Sequence, residues 1–177
     1  FGGQTADTDE VVNRLGLPVF VKPNVGGSSF GTTKVKTAAE LQDAIAKAFA
    51  EGEEVILEQF VAGTEVTSGC YKTQNNSVLL PLTEVVTGNE FFDFDAKYNG
   101  QVDEITPARL SSGMTKKIQE ETSRIYDLLG ASGLIRIDYI IPADGEPVML
   151  EVNTTPGMTA TSFIPQQIHA AGLDIKD

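Results

Sequence analysis

Residues 136 to 153, "RIDYIIPADGEPVMLEVN", carry an arginine, two carboxylates and an amide at spacings that matter if the stretch folds back on itself. Asp144-Gly145 is a hairpin turn signal between two apolar-rich runs. A hairpin symmetric about that pair sets Asp138 opposite Glu151 and Arg136 opposite Asn153. Because side chains alternate along a strand, these four share one face, while Ile137, Tyr139, Leu150 and Val152 take the other. Like charges directly opposed on a sheet are unfavourable, so the Asp138/Glu151 pair asks for a cation. Two carboxylates and an Asn oxygen, with an arginine beside them, suit Mg²⁺ or Mn²⁺ holding polyphosphate oxygens. A solvent-screened acidic face, or a strand slipped by one residue, satisfies the same spacing.

Other stretches bear on an anionic ligand. "GGSSFG", residues 26 to 31, can aim backbone amides and the hydroxyls of Ser28 and Ser29 at a phosphate. No Gly-Lys-Ser/Thr follows and the next element reads as a strand, so this is not a Walker loop, and a plain turn fits it too. Lys22, at the end of an apolar run, can supply an ammonium to a phosphate or simply sit in solvent. Glu58 follows Val55, Ile56 and Leu57, where a carboxylate and the neighbouring backbone can read an adenine edge. Glu65, past Gly63, can accept from ribose hydroxyls; as single residues both glutamates also fit a solvated surface. "NEFFDFDAKYNG", residues 89 to 100, is aromatic and acidic without helical period, and reads as an ordered functional loop or as one pinned by its phenylalanines.

The elements that must position these residues are legible from local pattern. "PVFVKP" is a strand closed by Pro23, and the Gly/Ser loop returns into a second strand. Thr37 and Glu40 stand in capping-box spacing ahead of apolar residues at 41, 45, 48 and 49, which predicts a helix that stops at Gly52. "EVILEQFV" is the next strand, and residues 69 to 87 suggest an antiparallel meander. Apolar residues at 114, 118, 125, 128 and 129 predict a second long helix ended by Gly130, and a terminal helix carries the sole histidine, His169, as a surface residue. Strands and helices mix without strict alternation. The pattern is α+β in two lobes, 1–60 and 61–177.

Composition limits the functional classes. The 177 residues include 41% hydrophobic ones, enough for a core, and a net charge of -12 argues against a nucleic-acid binder, so any anionic ligand must be held by a few placed cations. The single cysteine, Cys70, excludes an intrachain disulfide, and neither a signal peptide nor a long apolar span is present in the sequence, which fits a cytoplasmic protein not held at a membrane. A chain that begins at Phe1 and stops at "GLDIKD" reads as a piece of something longer.

Taken together, "VFVKPNVGGSSFGTTKV", "VILEQFVAGTEV", "FFDFDAKYNG", "GLIRIDYII" and "LEVNTTPGMTATSFIP" resemble the ATP-grasp portion of the D-alanine–D-alanine ligases, from about Leu17 onward. The resemblance implies an ATP-grasp fold with mainly antiparallel sheets flanked by helices, and ATP-dependent joining of two D-alanines through an acylphosphate. It implies that Lys22 and Lys97 hold ATP phosphates with Ser28 and Ser29 in the phosphate loop, that Glu58 binds the adenine amino group beside backbone contacts from Gln59 and Val61, and that Glu65 binds ribose. Asp138, Glu151 and Asn153 would ligate two Mg²⁺ or Mn²⁺ ions. Arg136 would stabilise the tetrahedral oxyanion, Tyr98 would close its loop in favour of attack by an amine, and Gly157 and Ser162 would sit at the second D-alanine. ATP and D-alanine are then the small-molecule partners, and the resemblance allows a homodimer of the full-length protein. The family's N-terminal domain, the first part of the small lobe with another phosphate-binding lysine, and a last helix are missing from this chain, so it should be inactive alone. Another carboxylate ligase, such as a D-alanine–D-lactate ligase, or a nucleotide-binding module without catalysis are the alternatives.

Overall fold

The computed structural model describes residues 6–26, 29–87 and 102–176. These fall into two compact units, the first ending at Val61 and the second beginning at Ala62.

The first unit is a three-stranded antiparallel sheet under two helices. Helix α1 (Thr8–Leu15) is started by Asp7, whose carboxylate accepts from the amides of Asp9 and Glu10 at 2.9 and 3.1 Å. Strands β1 (Val19–Pro23), β2 (Thr33–Val35) and β3 (Val55–Gln59) follow the order β2-β1-β3. Helix α2 (Leu41–Phe49) is entered through a short 3₁₀ turn at Ala38–Glu40. The Glu40 carboxylate reaches back to the amides of Lys36 and Thr37 at 2.9 and 3.4 Å, as the capping-box spacing predicts. One sheet face, Val19, Val21, Val35 and Val55, is buried with Leu41, Ala44, Ile45 and Ala48 of α2. Alternation therefore leaves Phe20, Lys22, Lys34, Ile56 and Glu58 on the other face.

The second unit is a six-stranded antiparallel sheet with two helices. Its strands are β4 (Thr64–Lys72), β5 (Ser77–Leu79), β6 (Thr83–Thr87), β7 (Val102–Ile105), β8 (Gly133–Ile141) and β9 (Val148–Asn153), in the order β7-β6-β4-β8-β9 with β5 also paired to β4. Helix α3 (Ser112–Leu128) is capped by Ser111, whose hydroxyl accepts from the Met114 amide at 3.2 Å. Ile118 and Tyr126 on α3 share a core with Val66, Cys70, Ile135, Ile137 and Tyr139 of β4 and β8. Full burial of each large apolar chain contributes about 1.5–3 kcal/mol, so this row fixes which way β8 faces. Leu128 and Leu129, counted in the apolar stripe from sequence, are instead exposed, and Thr122 completes the buried row. Helix α4 (Phe163–Ala170) packs with Ile164 and Ile168 against Leu80, and His169 is exposed as predicted.

Candidate active site

The β8/β9 hairpin brings the predicted cluster together. Arg136 pairs with Asn153, Ile137 with Val152 and Asp138 with Glu151. Symmetry about the turn holds only that far. A bulge shifts the register by one, so that Tyr139 faces Met149 and Leu150 is the additional residue. Leu150 is exposed, and its expected place in an unbroken apolar row with Ile137 and Tyr139 is corrected accordingly.

The carboxylate pair has a compensator within the chain. Arg136 donates from Nε and Nη2 to the two oxygens of Asp138 at 2.8 Å each, a fork on a planar acceptor, and Nη2 lies 3.9 Å from Glu151. Asn153 Nδ2 lies 3.3 Å from both Asp138 and Glu151. The neighbouring guanidinium thus meets part of the charge that the opposed carboxylates present. Asp138 is buried while Glu151 is open. Burial pushes the Asp138 carboxyl up, against the hydrogen bonds and charge of Arg136, which pull it down.

The same sheet face carries further residues by register. Thr67 stands opposite Asp138, Gly69 opposite Arg136, and the half-buried Glu65 opposite Ile140. Helix α4 lies on this face because Gly69 has no side chain. A Cβ there would sit 2.6 Å from Gln167 Oε1, 2.7 Å from Ile164 Cδ1 and 2.9 Å from Leu80 Cδ1. Gln167, fully buried, donates to the Thr67 carbonyl at 3.0 Å and the Thr83 hydroxyl at 3.2 Å, tying α4 to β4 and β6. The start of α4 is thereby set. Ser162, its N-cap, shares a 2.8 Å hydrogen bond with Thr159, and a Cβ on Gly157 would come within 2.8 Å of the Ser162 hydroxyl. Gly157 and Ser162 are thus neighbours. Phe163 lies against Arg136, with Cζ 5.3 Å from the ring centroid.

In the first unit, Lys22 and Glu58 form an ion pair at 2.8 Å across a diagonal of β1 and β3. Both remain partly exposed, at 28% and 40% of the side chain, so either can exchange its partner for a ligand. Beside them Phe20 and Phe60 have centroids 6.0 Å apart, and Lys34 Nζ stands 3.8 Å over the Phe60 ring. Gln59 ends β3 and is exposed, and Val61 is half-buried just beyond it. Ser29 has φ of 62°, a left-handed conformation that lets the loop turn sharply. Ser28, Lys97 and Tyr98 lie outside the described residues, as does the segment from 88 to 101.

Sequence reasoning passed over Thr67, Gly69, Phe163 and Gln167. Phe163 directly follows Ser162 in "TSFIP", and a glycine inside the apolar run "TSGCY" is a signal of close approach. Gln167 gives no local signal, since its partners come from β4 and β6.

Residues 3–177 match the family model described as D-ala D-ala ligase C-terminus. A relative from Parabacteroides distasonis, named D-alanine–D-alanine ligase, is 75% identical over the whole chain, which covers 54% of that relative. One from Bacteroides fragilis with the same name is 68% identical over 99% of the chain, again with 54% of its own length covered. The VanG D-Ala:D-Ser ligase from Enterococcus faecalis superposes with a TM-score of 0.84 at 37% identity, covering 94% of this chain and 48% of that one. D-alanyl-alanine synthetase A from Vibrio cholerae gives 0.85 at 28% identity, with 99% and 55% covered. The chain spans about half the length of the curated relatives it matches.

Proposed function

We propose that this chain, which belongs to the D-ala D-ala ligase C-terminus family and has its α+β ATP-grasp fold, is the nucleotide- and metal-handling part of an ATP-dependent D-alanine–D-alanine ligase. The observation that carries the reading is the face shared by Arg136, Asp138, Glu151 and Asn153, which suits phosphoryl transfer and then charge on a tetrahedral carbon. The substrates are ATP and two D-alanines, and the product is a precursor of peptidoglycan made in the cytoplasm. Among the described residues no helix is long and apolar enough to cross a membrane.

Asp138 and Glu151, opposed at one register position, with an amide that turns about its last torsion to offer Oδ1, form an all-oxygen donor set that fits Mg²⁺ or Mn²⁺. Asp138, Glu151 and Asn153 would hold such ions, which when bound neutralise phosphate oxygens. The first D-alanine carboxylate takes the γ-phosphoryl group and ADP departs. The amine of the second D-alanine then attacks the acyl carbon, phosphate leaves and the amine loses a proton. Arg136, fixed by the Asp138 fork, presents its remaining donor edge to the negative charge that grows on oxygen in both steps. Lys22 gives its ammonium to phosphate as Glu58 turns to the adenine amino group, an exchange their exposure permits. Gln59 and Val61 offer backbone contacts to the ring, and Glu65 takes the ribose. Ser29, with Ser28 and Lys97, holds the phosphates, Gly157 and Ser162 receive the second amino acid, and the Tyr98 hydroxyl favours attack by an amine. No protein nucleophile is needed.

The test is ADP release by the full-length protein with and without D-alanine, with mass analysis of the product. Stimulation by D-alanine and formation of D-alanyl-D-alanine are expected. A product containing D-serine or D-lactate in preference to a second D-alanine would move the assignment to a sister ligase, the first being the activity named for the VanG structure. ADP release independent of any amino acid would overturn it.

A further inference from the structure

Arg136 is held on two sides by two different elements. Asp138 forks it edge-on, but Asp138 lies on the same strand, two residues away. That fork orients the guanidinium relative to β8 alone. On another side it meets the ring of Phe163, the first residue of α4, with Cζ 5.3 Å from the ring centroid. Position 163 is adjacent to Ser162, and Ser162 touches the space beside Gly157. The ring thus links the cation to the element that begins at the proposed second-substrate site. Gly69, opposite Arg136, supplies the room that lets α4 come this close.

We infer that Phe163 is a positioning residue, its ring holding the Arg136 guanidinium at a fixed distance from the start of α4. An arginine side chain has several rotatable bonds, and a plane gripped at one edge can still swing about that edge. A ring packed against it from α4 restricts that swing, and with it the reorganisation needed when charge develops on the reacting oxygens. The inference rests on the role proposed for Arg136. Loss of the ring should therefore act on turnover more than on ATP binding.

The experiment is a double-mutant cycle in the full-length protein, using Phe163→Leu and Arg136→Gln. Phe163→Leu is expected to lower kcat about three- to tenfold, with KM for ATP changed less than about twofold, and Phe163→Tyr, which keeps a ring, should restore most of the loss. In the Arg136→Gln background, where no cation remains to be held, Phe163→Leu should have little further effect. An equal loss in both backgrounds, or a tyrosine variant no better than leucine, would show a packing role only and overturn the inference. Unchanged turnover in Arg136→Gln would instead remove the role assigned to the arginine itself. Melting temperatures accompany each variant, and Phe163→Met provides the same kinetic split if the leucine variant folds poorly.

Discussion

Glu151 and Asp138 occupy one register position and yet live in different environments. Asp138 is buried, forked by Arg136 and faced by Thr67, whereas Glu151 is open, with Asn153 Nδ2 at 3.3 Å and Arg136 Nη2 at 3.9 Å. An open carboxylate is the one that incoming cations can reach, which makes Glu151 the candidate ligand to test by substitution. Replacing it should cost function and not fold. Glu151→Gln in the full-length protein is expected to lower ADP production at saturating Mg²⁺ on the order of a hundredfold or more. Folding stability without metal should move by no more than about 0.5 kcal/mol, as for an ordinary surface change. Turnover close to wild type would show that Glu151 is not a ligand. At Asp138 the same substitution is a poor probe, since it would break the arginine fork and leave a buried cation half-partnered.

At the scale of elements, the candidate site exists because α4 lies on the face of β4 and β8 that bears the polar residues. Gly69 is the condition for that, because three buried atoms occupy the space of a side chain there. Gly69→Ala should therefore lift α4, destabilising the fold by about 1–3 kcal/mol and lowering turnover along with it. A variant with unaltered melting temperature would mean that the contacts relax without cost. A second device anchors the segment leading to α3. Glu84 on β6 accepts from Arg109 Nε, Nη2 and the backbone amide at 3.0, 2.6 and 3.1 Å. These hydrogen bonds hold the Glu84 carboxyl below the usual carboxylate range. A lowered folded-state pKa contributes stability that is present above the unfolded value and is lost as pH falls through the folded one. The wild type should accordingly lose melting temperature more steeply than Glu84→Gln between about pH 5 and pH 3, while the variant starts lower at neutral pH. Parallel curves would show that the pair does not link folding to protons.

These elements also mark how far the chain could be read in advance. The Asp138/Glu151 and Arg136/Asn153 pairings were legible because polarity alternates on both sides of a strong turn. The bulge at Leu150 was not, since one additional residue in an apolar run changes no local pattern. Capping at Thr37 and Glu40 was legible because both partners are near in sequence. Helix α1 was missed although Asp7 caps it and Val11 and Leu15 face the core, the segment being short and mostly polar. Periodicity placed Leu128 and Leu129 on an apolar stripe, but periodicity cannot say whether another element reaches the end of a helix. The pairing of Lys22 with Glu58 and the approach of Phe163 to Arg136 depend on tertiary structure, and no spacing encodes them.

For the molecule as a whole, charge is the constraint. Asp and Glu number 25 against 13 Lys and Arg, and both cations at the described candidate positions, Lys22 and Arg136, already face a carboxylate of the chain. A polyphosphate approaching either cation meets a chain of net charge -12 and gains only by displacing or sharing that cation's partner. Divalent ions at Asp138 and Glu151 would reverse the local sign, so nucleotide affinity should depend steeply on Mg²⁺ and be weak without it. The relatives that share this chain's sequence are about twice as long, and the resemblance assigns to the remainder another phosphate-binding lysine and part of the first amino-acid site. The 177-residue chain alone is therefore expected to bind ATP weakly, only with Mg²⁺, and to form no dipeptide above background. Calorimetric titration with ATP, with and without Mg²⁺, and product analysis beside the full-length protein would measure both. Dipeptide formation by the isolated chain at a rate comparable to the full-length protein would show that its own residues complete the site.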